Sequence, residues 1–182
     1  MTPHLQHRSH GQLVDWWCAV GDYDGRLKEM IHALKYERRR SIGPPLGALM
    51  RECAAPMLDH ADAAVPVPLH PHREYSRGFN QAEDLGQHLG LPLVPLLTRT
   101  RHTQSQIELP KHQRQQNVKN AFALAVPGSR LPAPDIVILV DDVSTTGSTI
   151  DACARVLKAA GVKEVRAVTA ARVVNERRHS AS

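Results

Sequence analysis

Residues 136–149, reading IVILVDDVSTTGST, constrain this chain more than any other stretch. Ile136, Val137, Ile138, Leu139 and Val140 are consecutive aliphatic residues without the polar alternation of a half-exposed strand, so they predict a strand buried on both faces. Such a strand belongs in a parallel sheet with helices packed above and below it. Asp141 and Asp142 stand where the strand emerges, and Val143, Ser144, Thr145, Thr146, Gly147, Ser148 and Thr149 lead into a helix.

Each part of the run has a chemical use. From Thr145 to Thr149 the chain is able to turn successive backbone N–H groups and several hydroxyls into one concavity. Gly147 permits the tight turn, and the following helix presents its positive N-terminal end. That is a cradle for a phosphate monoester. Two adjacent carboxylates are acceptor-only groups that match the donors of a vicinal diol, each charge-assisted bond contributing about 1.5–3 kcal/mol. A ribose 5-phosphate satisfies both halves. A P-loop NTPase is excluded because no G-x-x-x-x-G-K-[ST] motif occurs in the sequence. A response-regulator acidic pocket is excluded because it follows the first strand of a domain, whereas Asp141 lies near the end of this chain.

The rest of the chain alternates strand and helix. Strands are expected at 16–20, 63–69, 93–97, 135–140 and 165–171, and helices at 24–38, 44–58, 110–120 and 146–160. Asn80 is expected to cap a further helix running to His88, with Phe79 packed inward. Residues 70–77 and 127–134 read as loops, and the prolines at 66 and 68 push the strand at 63–69 to a sheet edge or to an irregular loop at its end. This is a three-layer α/β architecture, a parallel sheet with flanking helices, in which ligands bind beyond the carboxyl ends of the strands. The expected division is a variable polar segment at 1–18, one domain at 19–175 and a basic tail at 176–182.

Composition sets limits. With 182 residues, 42% hydrophobic and 23% charged, the chain suits one globular domain. No apolar stretch approaches the roughly 20 residues of a membrane helix, and the N-terminus is polar rather than signal-like, so a cytoplasmic protein without a membrane span is expected. Cys18, Cys53 and Cys153 lie far apart with no C-x-x-C pair, which predicts reduced, buried thiols. His4, His7 and His10 are expected to be solvated at a frayed terminus rather than to ligate a metal. The net charge of +5 gathers at Arg38, Arg39 and Arg40, at Arg99 and Arg101, at Lys111, Arg114 and Lys119, and at Arg177 and Arg178. The clusters at 38–40 and 111–119 are expected on helices away from the strand mouths. An aromatic content of 4% leaves few stacking platforms, so single-stranded nucleic acid is a secondary reading.

Val137 to Thr149 resembles the phosphoribosyl pyrophosphate signature of type I phosphoribosyltransferases: hydrophobic residues, two acids and a TTG-x-T loop. Val65-Pro66-Val67-Pro68-Leu69-His70-Pro71, Arg73 and Arg77-Gly78-Phe79-Asn80-Gln81-Ala82 narrow the likeness, together with Tyr23-Asp24-Gly25 and Ile31-His32-Ala33-Leu34-Lys35-Tyr36. With these stretches, residues 19–172 resemble the ComF family, competence-associated proteins similar to amidophosphoribosyltransferases. Residues 1–18 hold no four-cysteine zinc module of the kind many relatives begin with.

The resemblance implies a type I phosphoribosyltransferase fold that binds 5-phosphoribosyl 1-pyrophosphate with Mg2+ and transfers the phosphoribosyl group to an unidentified acceptor. Pyrophosphate would be released, a reaction of nucleoside metabolism. It implies that Asp141 and Asp142 hold the ribose hydroxyls and help place Mg2+ through the ligand, no metal being held by protein side chains alone. Ser144, Thr145, Thr146, Gly147, Ser148 and Thr149 would hold the 5-phosphate. Arg73 and Arg77 would bind pyrophosphate, and Arg101 would reach it from a hood at 99–109 that closes over the site. Enzymes acting on 6-oxopurines carry an Asp where Thr145 stands, which argues against that acceptor class. The alternative implied role is a non-catalytic phosphoribosyl pyrophosphate or nucleotide-binding protein supporting DNA uptake, with single-stranded DNA or competence proteins as partners. A homodimer is compatible with either role.

Overall fold

The aliphatic run forms an interior strand of a five-stranded sheet. The computed structural model describes residues 4–7, 13–100, 121–126 and 134–174. In chain order the described strands are β1 (His4–His7), β2 (Trp16–Asp22), β3 (Ala63–Pro66), β4 (Leu97–Arg99), β5 (Phe122–Leu124), β6 (Ile136–Ser144) and β7 (Glu164–Arg172). The helices are α1 (Gly25–Tyr36), α2 (Gly43–Leu58), α3 (Pro71–Arg77), α4 (Gln81–Gly86) and α5 (Ser148–Ala159), with a 3-10 turn at Arg40–Ile42.

The main sheet runs β1-β2-β7-β6-β3, and β4 pairs with β5 in a separate antiparallel ribbon. From β2 to β3 all pairings are parallel, as the apolar run requires. β1 departs from expectation: it adds antiparallel to β2, so the sheet is mixed, and His4 and His7 lie on a strand. The place of β3 at the edge, with a full ladder to β6 and a single bridge at Ala64 on its other side, suits its terminal Pro66, which has no N–H to extend that bridge.

Side chains of β6 alternate between two cores, as period 2 demands. Ile138 and Val140 join Leu27, Ile31, Leu34, Leu46 and Met50 under α1 and α2. Val137 and Leu139 join Ile150, Cys153, Leu157 and Phe122 under α5 and the ribbon. Three layers result, with the sheet in the middle. α2 meets the turn that follows α4 closely at Gly47, where an added Cβ would lie 2.6 Å from the Cβ of His88.

Four expectations require correction. The segment 70–77 is α3 rather than a loop: Pro71 occupies its first turn, the His70 side chain accepts from the His72 N–H, and Gly78 closes it at φ 83°. The strand expected at 93–97 is reduced to a single parallel bridge of Leu93 to Ala64 and resumes as β4 at Leu97. Pro92 and Pro95 interrupt the ladder, since neither has an N–H to donate. β6 extends past Val140 to Ser144; β3 stops beside Val140, so the carboxylates leave the β3 side while β7 continues to pair. Finally, Cys18 and Cys53 form a disulfide rather than staying reduced. An inward residue of β2 meets the buried face of α2 there, with Cα atoms 6.6 Å apart, within bridging reach. Cys153 remains a free, buried thiol. Among the described residues no helix is long and apolar enough to cross a membrane.

Candidate functional site

The carboxyl ends of β6 and β3 open into a cavity of ≈ 900 Å³. One wall is the end of β6 and the turn into α5, with Asp141, Asp142, Thr145 and Thr149 lining it. The other is built from α1, the segment that follows it, and α3, with Lys28, Lys35, Arg38, Arg73 and Arg77. Arg99, at the end of β4, also faces in.

Alternation along β6 separates the two acids. Asp142 falls in line with Ile138 and Val140, on the side covered by α1, and meets α1 directly: Lys35 Nζ lies 2.8 Å from Asp142 Oδ1. Both side chains are largely enclosed, 16% and 11% exposed. Burial works against the Lys35 charge, but the contact with Asp142 and the nearby Asp141 outweigh it and hold its pKa above the ordinary lysine value. Asp141 falls in line with Val137 and Leu139, on the side of α5, and its carboxylate acts on Arg99 and on the Cys153 thiol. Burial first, and the charge of Asp142 second, push Asp141 up to about 7; Lys35, a hydrogen bond from the Asp142 N–H at 2.9 Å and Arg99 offset part of this. Burial also pushes the Cys153 thiol well above its ordinary range, and the side chain is enclosed in the core under α5.

The turn after β6 has the expected shape. Gly147 sits at φ 77° in the left-handed region and precedes α5 as its N-cap, without a side-chain cap of its own. The Thr146 and Ser148 hydroxyls lie 2.7 Å apart, and the Ser148 N–H donates to Thr146 Oγ1 at 3.4 Å. The first turn of α5 thus offers N–H groups and hydroxyls at its positive end. Thr145 and Thr149 line the cavity, whereas Ser144, Thr146, Gly147 and Ser148 shape the turn behind them.

On the opposite wall, Arg73 and Arg77 line the cavity. Arg77 Nη1 donates to Gln81 Oε1 at 2.8 Å and its guanidinium lies 5.5 Å from the Tyr36 ring centre, so it is braced rather than waving. Asn80 caps α4, accepting from the Ala82 N–H at 3.0 Å and donating to the Val67 carbonyl at 3.2 Å. Phe79 packs against the core, as expected. Arg101, the rest of the expected hood beyond Thr100, and the helix expected at 110–120 with Lys111, Arg114 and Lys119 lie outside the described residues. So do His10, Arg177 and Arg178.

Reasoning from the sequence named none of four cations here as a site residue, although Arg99 opened the expected hood and Arg38 an expected basic cluster. Lys35 follows Ile31 by one helical turn and so lies at the edge of the buried stripe of α1 formed by Leu27, Ile31 and Leu34; a lysine in that register was the available signal. Lys28 shares the helix, exposed toward the cavity. Arg99 ends a strand whose burial depends on β5, and its ring contact with Phe122, 5.2 Å from the centroid, is a long-range pairing that no local pattern shows. Burial, then the charge of Arg73, lower its pKa. Arg38 corrects the expectation that 38–40 points away from the strand mouths. Arg40 is bound to Asp84 at 2.6 Å and Arg39 to Glu37 at 3.0 Å, but Arg38 turns through a left-handed backbone, φ 55°, donates to the Ser76 carbonyl at 2.8 Å and lines the cavity.

Comparison with known proteins agrees with this fold. Residues 75–181 match the phosphoribosyl transferase domain family. The chain is 36% identical over 157 residues to competence protein F of Haemophilus influenzae, a match covering 81% of this chain and 68% of that protein. It is 36% identical over 159 residues to the DNA utilization protein YhgH of Escherichia coli K12, covering 81% and 67%. A shorter match, 31% identical over 102 residues, relates it to competence protein ComFC of Streptococcus pneumoniae, covering 56% and 44%. On the domain match across more than half its length, and on relatives of this similarity, the chain belongs to the ComF family of the phosphoribosyltransferase superfamily.

Proposed function

We propose that the cavity binds 5-phosphoribosyl 1-pyrophosphate with Mg2+ and that the protein transfers the phosphoribosyl group to an acceptor, releasing pyrophosphate. The observation that carries this reading is the pairing of two opposed chemistries in one cavity. Acids, hydroxyls and a helix N-terminus stand at the end of β6, facing lysines and arginines from α1 and α3. The 5-phosphate would sit at the turn containing Thr145 and Thr149. Asp141 and Asp142 would accept from the ribose hydroxyls, and Arg73, Arg77 and Arg99 would face the pyrophosphate.

Mg2+ fits the donor set only in company. Among the described residues no three His, Cys, Asp or Glu side chains cluster to hold an ion, and Mg2+ prefers one or two carboxylates completed by substrate oxygens. Asp141 and Asp142 would hold it together with the ligand, and it would supply charge neutralisation to the departing pyrophosphate. The chain's own contribution to bond breaking is electrostatic. As the bond from ribose C1 to pyrophosphate opens, negative charge grows on the leaving group, which Arg77, braced by Gln81, and Arg73 beside it would stabilise.

Thermal melts with phosphoribosyl pyrophosphate and Mg2+ test the binding. At about 100 times Kd the gain is roughly 2.7 kcal/mol, a rise of roughly 5–11 °C for a chain of this size. An unchanged melting temperature at millimolar ligand overturns the reading. Pyrophosphate release across a panel of amine and base acceptors tests turnover.

A second reading, a protein that binds single-stranded DNA and supports its uptake, draws on the names of the relatives and on Arg38. If a strand uses Arg38, it enters the same cavity, and phosphoribosyl pyrophosphate should displace it. Independent binding of the two ligands in a salt titration would put the strand elsewhere, and undetectable DNA binding at about 50 mM salt would remove this reading.

A further inference from the structure

The acid pair at the end of β6 is already matched by a cation of the protein's own. Lys35 reaches across from α1 to Asp142 Oδ1 at 2.8 Å, and both groups are largely enclosed. The hold is built into the helix: Leu27, Ile31 and Leu34 fix the buried stripe of α1, and Lys35 sits on its edge, one turn beyond Ile31. The surroundings reinforce it. Lys28, Lys35, Arg38, Arg73, Arg77 and Arg99 line the cavity against two carboxylates, so the described walls carry a net positive field. No third acidic or imidazole ligand stands with the pair among the described residues.

We propose that Lys35 is the resident counter-cation of the acid pair, occupying Asp142 so that a divalent metal does not bind this cavity alone and enters only together with a polyanionic ligand. The inference rests on the reading of the cavity as a sugar pyrophosphate site, and it deepens that reading by assigning an order. A free divalent cation meets a positive field and one carboxylate already engaged; a metal chelated by pyrophosphate brings its own negative charge and ligand oxygens. Lys35 is therefore a positioning residue. It keeps the acid pair extended and compensated while the site waits for ligand.

Mn2+ binding to the whole protein without any sugar phosphate, followed by electron paramagnetic resonance, tests this directly. Wild type should bind Mn2+ weakly alone and should gain affinity when phosphoribosyl pyrophosphate is added. Lys35→Met should bind Mn2+ alone by about tenfold or more over wild type, because one positive charge leaves and one carboxylate is released. Lys35→Arg should behave as wild type, and Lys35→Met combined with Asp142→Asn should lose the gain. Where Lys35→Met does not give the wild-type near-ultraviolet dichroism, Lys35→Gln carries the same test, since its amide still donates to Asp142 without a charge. Tight Mn2+ binding by ligand-free wild type overturns the proposal. So does unchanged Mn2+ affinity in the folded lysine variants. The melts with phosphoribosyl pyrophosphate report separately: no ligand shift with a gain of Mn2+ in the variant defeats the ligand reading and leaves the role of Lys35 intact, and the reverse pattern defeats Lys35 alone.

Discussion

The two walls of the cavity are built in opposite ways. The β6–α5 wall comes from one continuous segment, Ile136 to Thr149, anchored by five buried or half-buried aliphatic residues and turned once at Gly147. The α1–α3 wall is assembled from Lys28, Lys35, Arg38, Arg73 and Arg77, which come from separate parts of the chain and end in long side chains held by partners as different as Asp142, the Ser76 carbonyl and Gln81. One wall is a local structure that carries its chemistry with it; the other exists only after α1, α3 and β6 have packed. Specific recognition of a sugar is expected from the first, and general attraction of an anion from the second.

The largest expected effect on stability concerns how the second wall is anchored. β2, from whose end α1 springs, is tied to α2 by the Cys18–Cys53 disulfide, which spans 35 residues; breaking it should cost about 4 kcal/mol of stability. Denaturant titrations with and without a reductant check this, and equal midpoints would mean that packing alone holds α1 in place.

The adjacent acids should then part company. Asp142→Asn removes the partner of Lys35 and leaves an enclosed ammonium, which should destabilise the folded protein by roughly 2–4 kcal/mol. Asp141→Asn should do the opposite at neutral pH and above. The folded pKa of Asp141 is raised from 3.8 to about 7, so its contribution to stability is fully present below the unfolded value and is lost as pH rises through about 7. Chemical denaturation at about pH 5 and about pH 8 should therefore show a decline in wild type that Asp141→Asn flattens. Equal behaviour of the two substitutions would erase the distinction between the two faces of β6.

Smaller effects belong to the cationic wall. Arg73→Gln and Arg77→Gln should each weaken pyrophosphate binding by roughly 0.5–1.5 kcal/mol, about two- to tenfold, and reduce its dependence on salt. Ribose 5-phosphate, which engages the other wall, should be affected less. A loss of equal size for both ligands would show that the walls do not divide the labour.

The same contrast explains what the amino-acid sequence made legible. The apolar run, its βαβ context, the Gly147 turn and the Asn80 cap are set by neighbours within a few residues, and their expected positions agree with the structure. Lys35, Arg38 and Arg99 reach the cavity through contacts with Asp142, the Ser76 carbonyl and Phe122, partners 23 or more residues away along the chain; helical register marked Lys35 as unusual, but no local pattern names the partner of any of the three. The helix at 71–77 was hidden by its polar composition and by its length of a mere two turns, and β1 by a polar sequence that owes its strand state to the exposed edge of β2. The disulfide was hidden for the same reason as Lys35: Cys18 and Cys53 meet across the core.

The central claim is that the β6–α5 wall holds the sugar phosphate, and calorimetric titration of phosphoribosyl pyrophosphate with Mg2+ into wild type and into Asp141→Asn combined with Asp142→Asn tests it most directly. The account predicts saturable binding to wild type and a loss of roughly 3–6 kcal/mol, two to four orders of magnitude in affinity, in the folded double variant. Equal affinity in the two proteins, or no heat of binding to wild type at millimolar ligand, would contradict it.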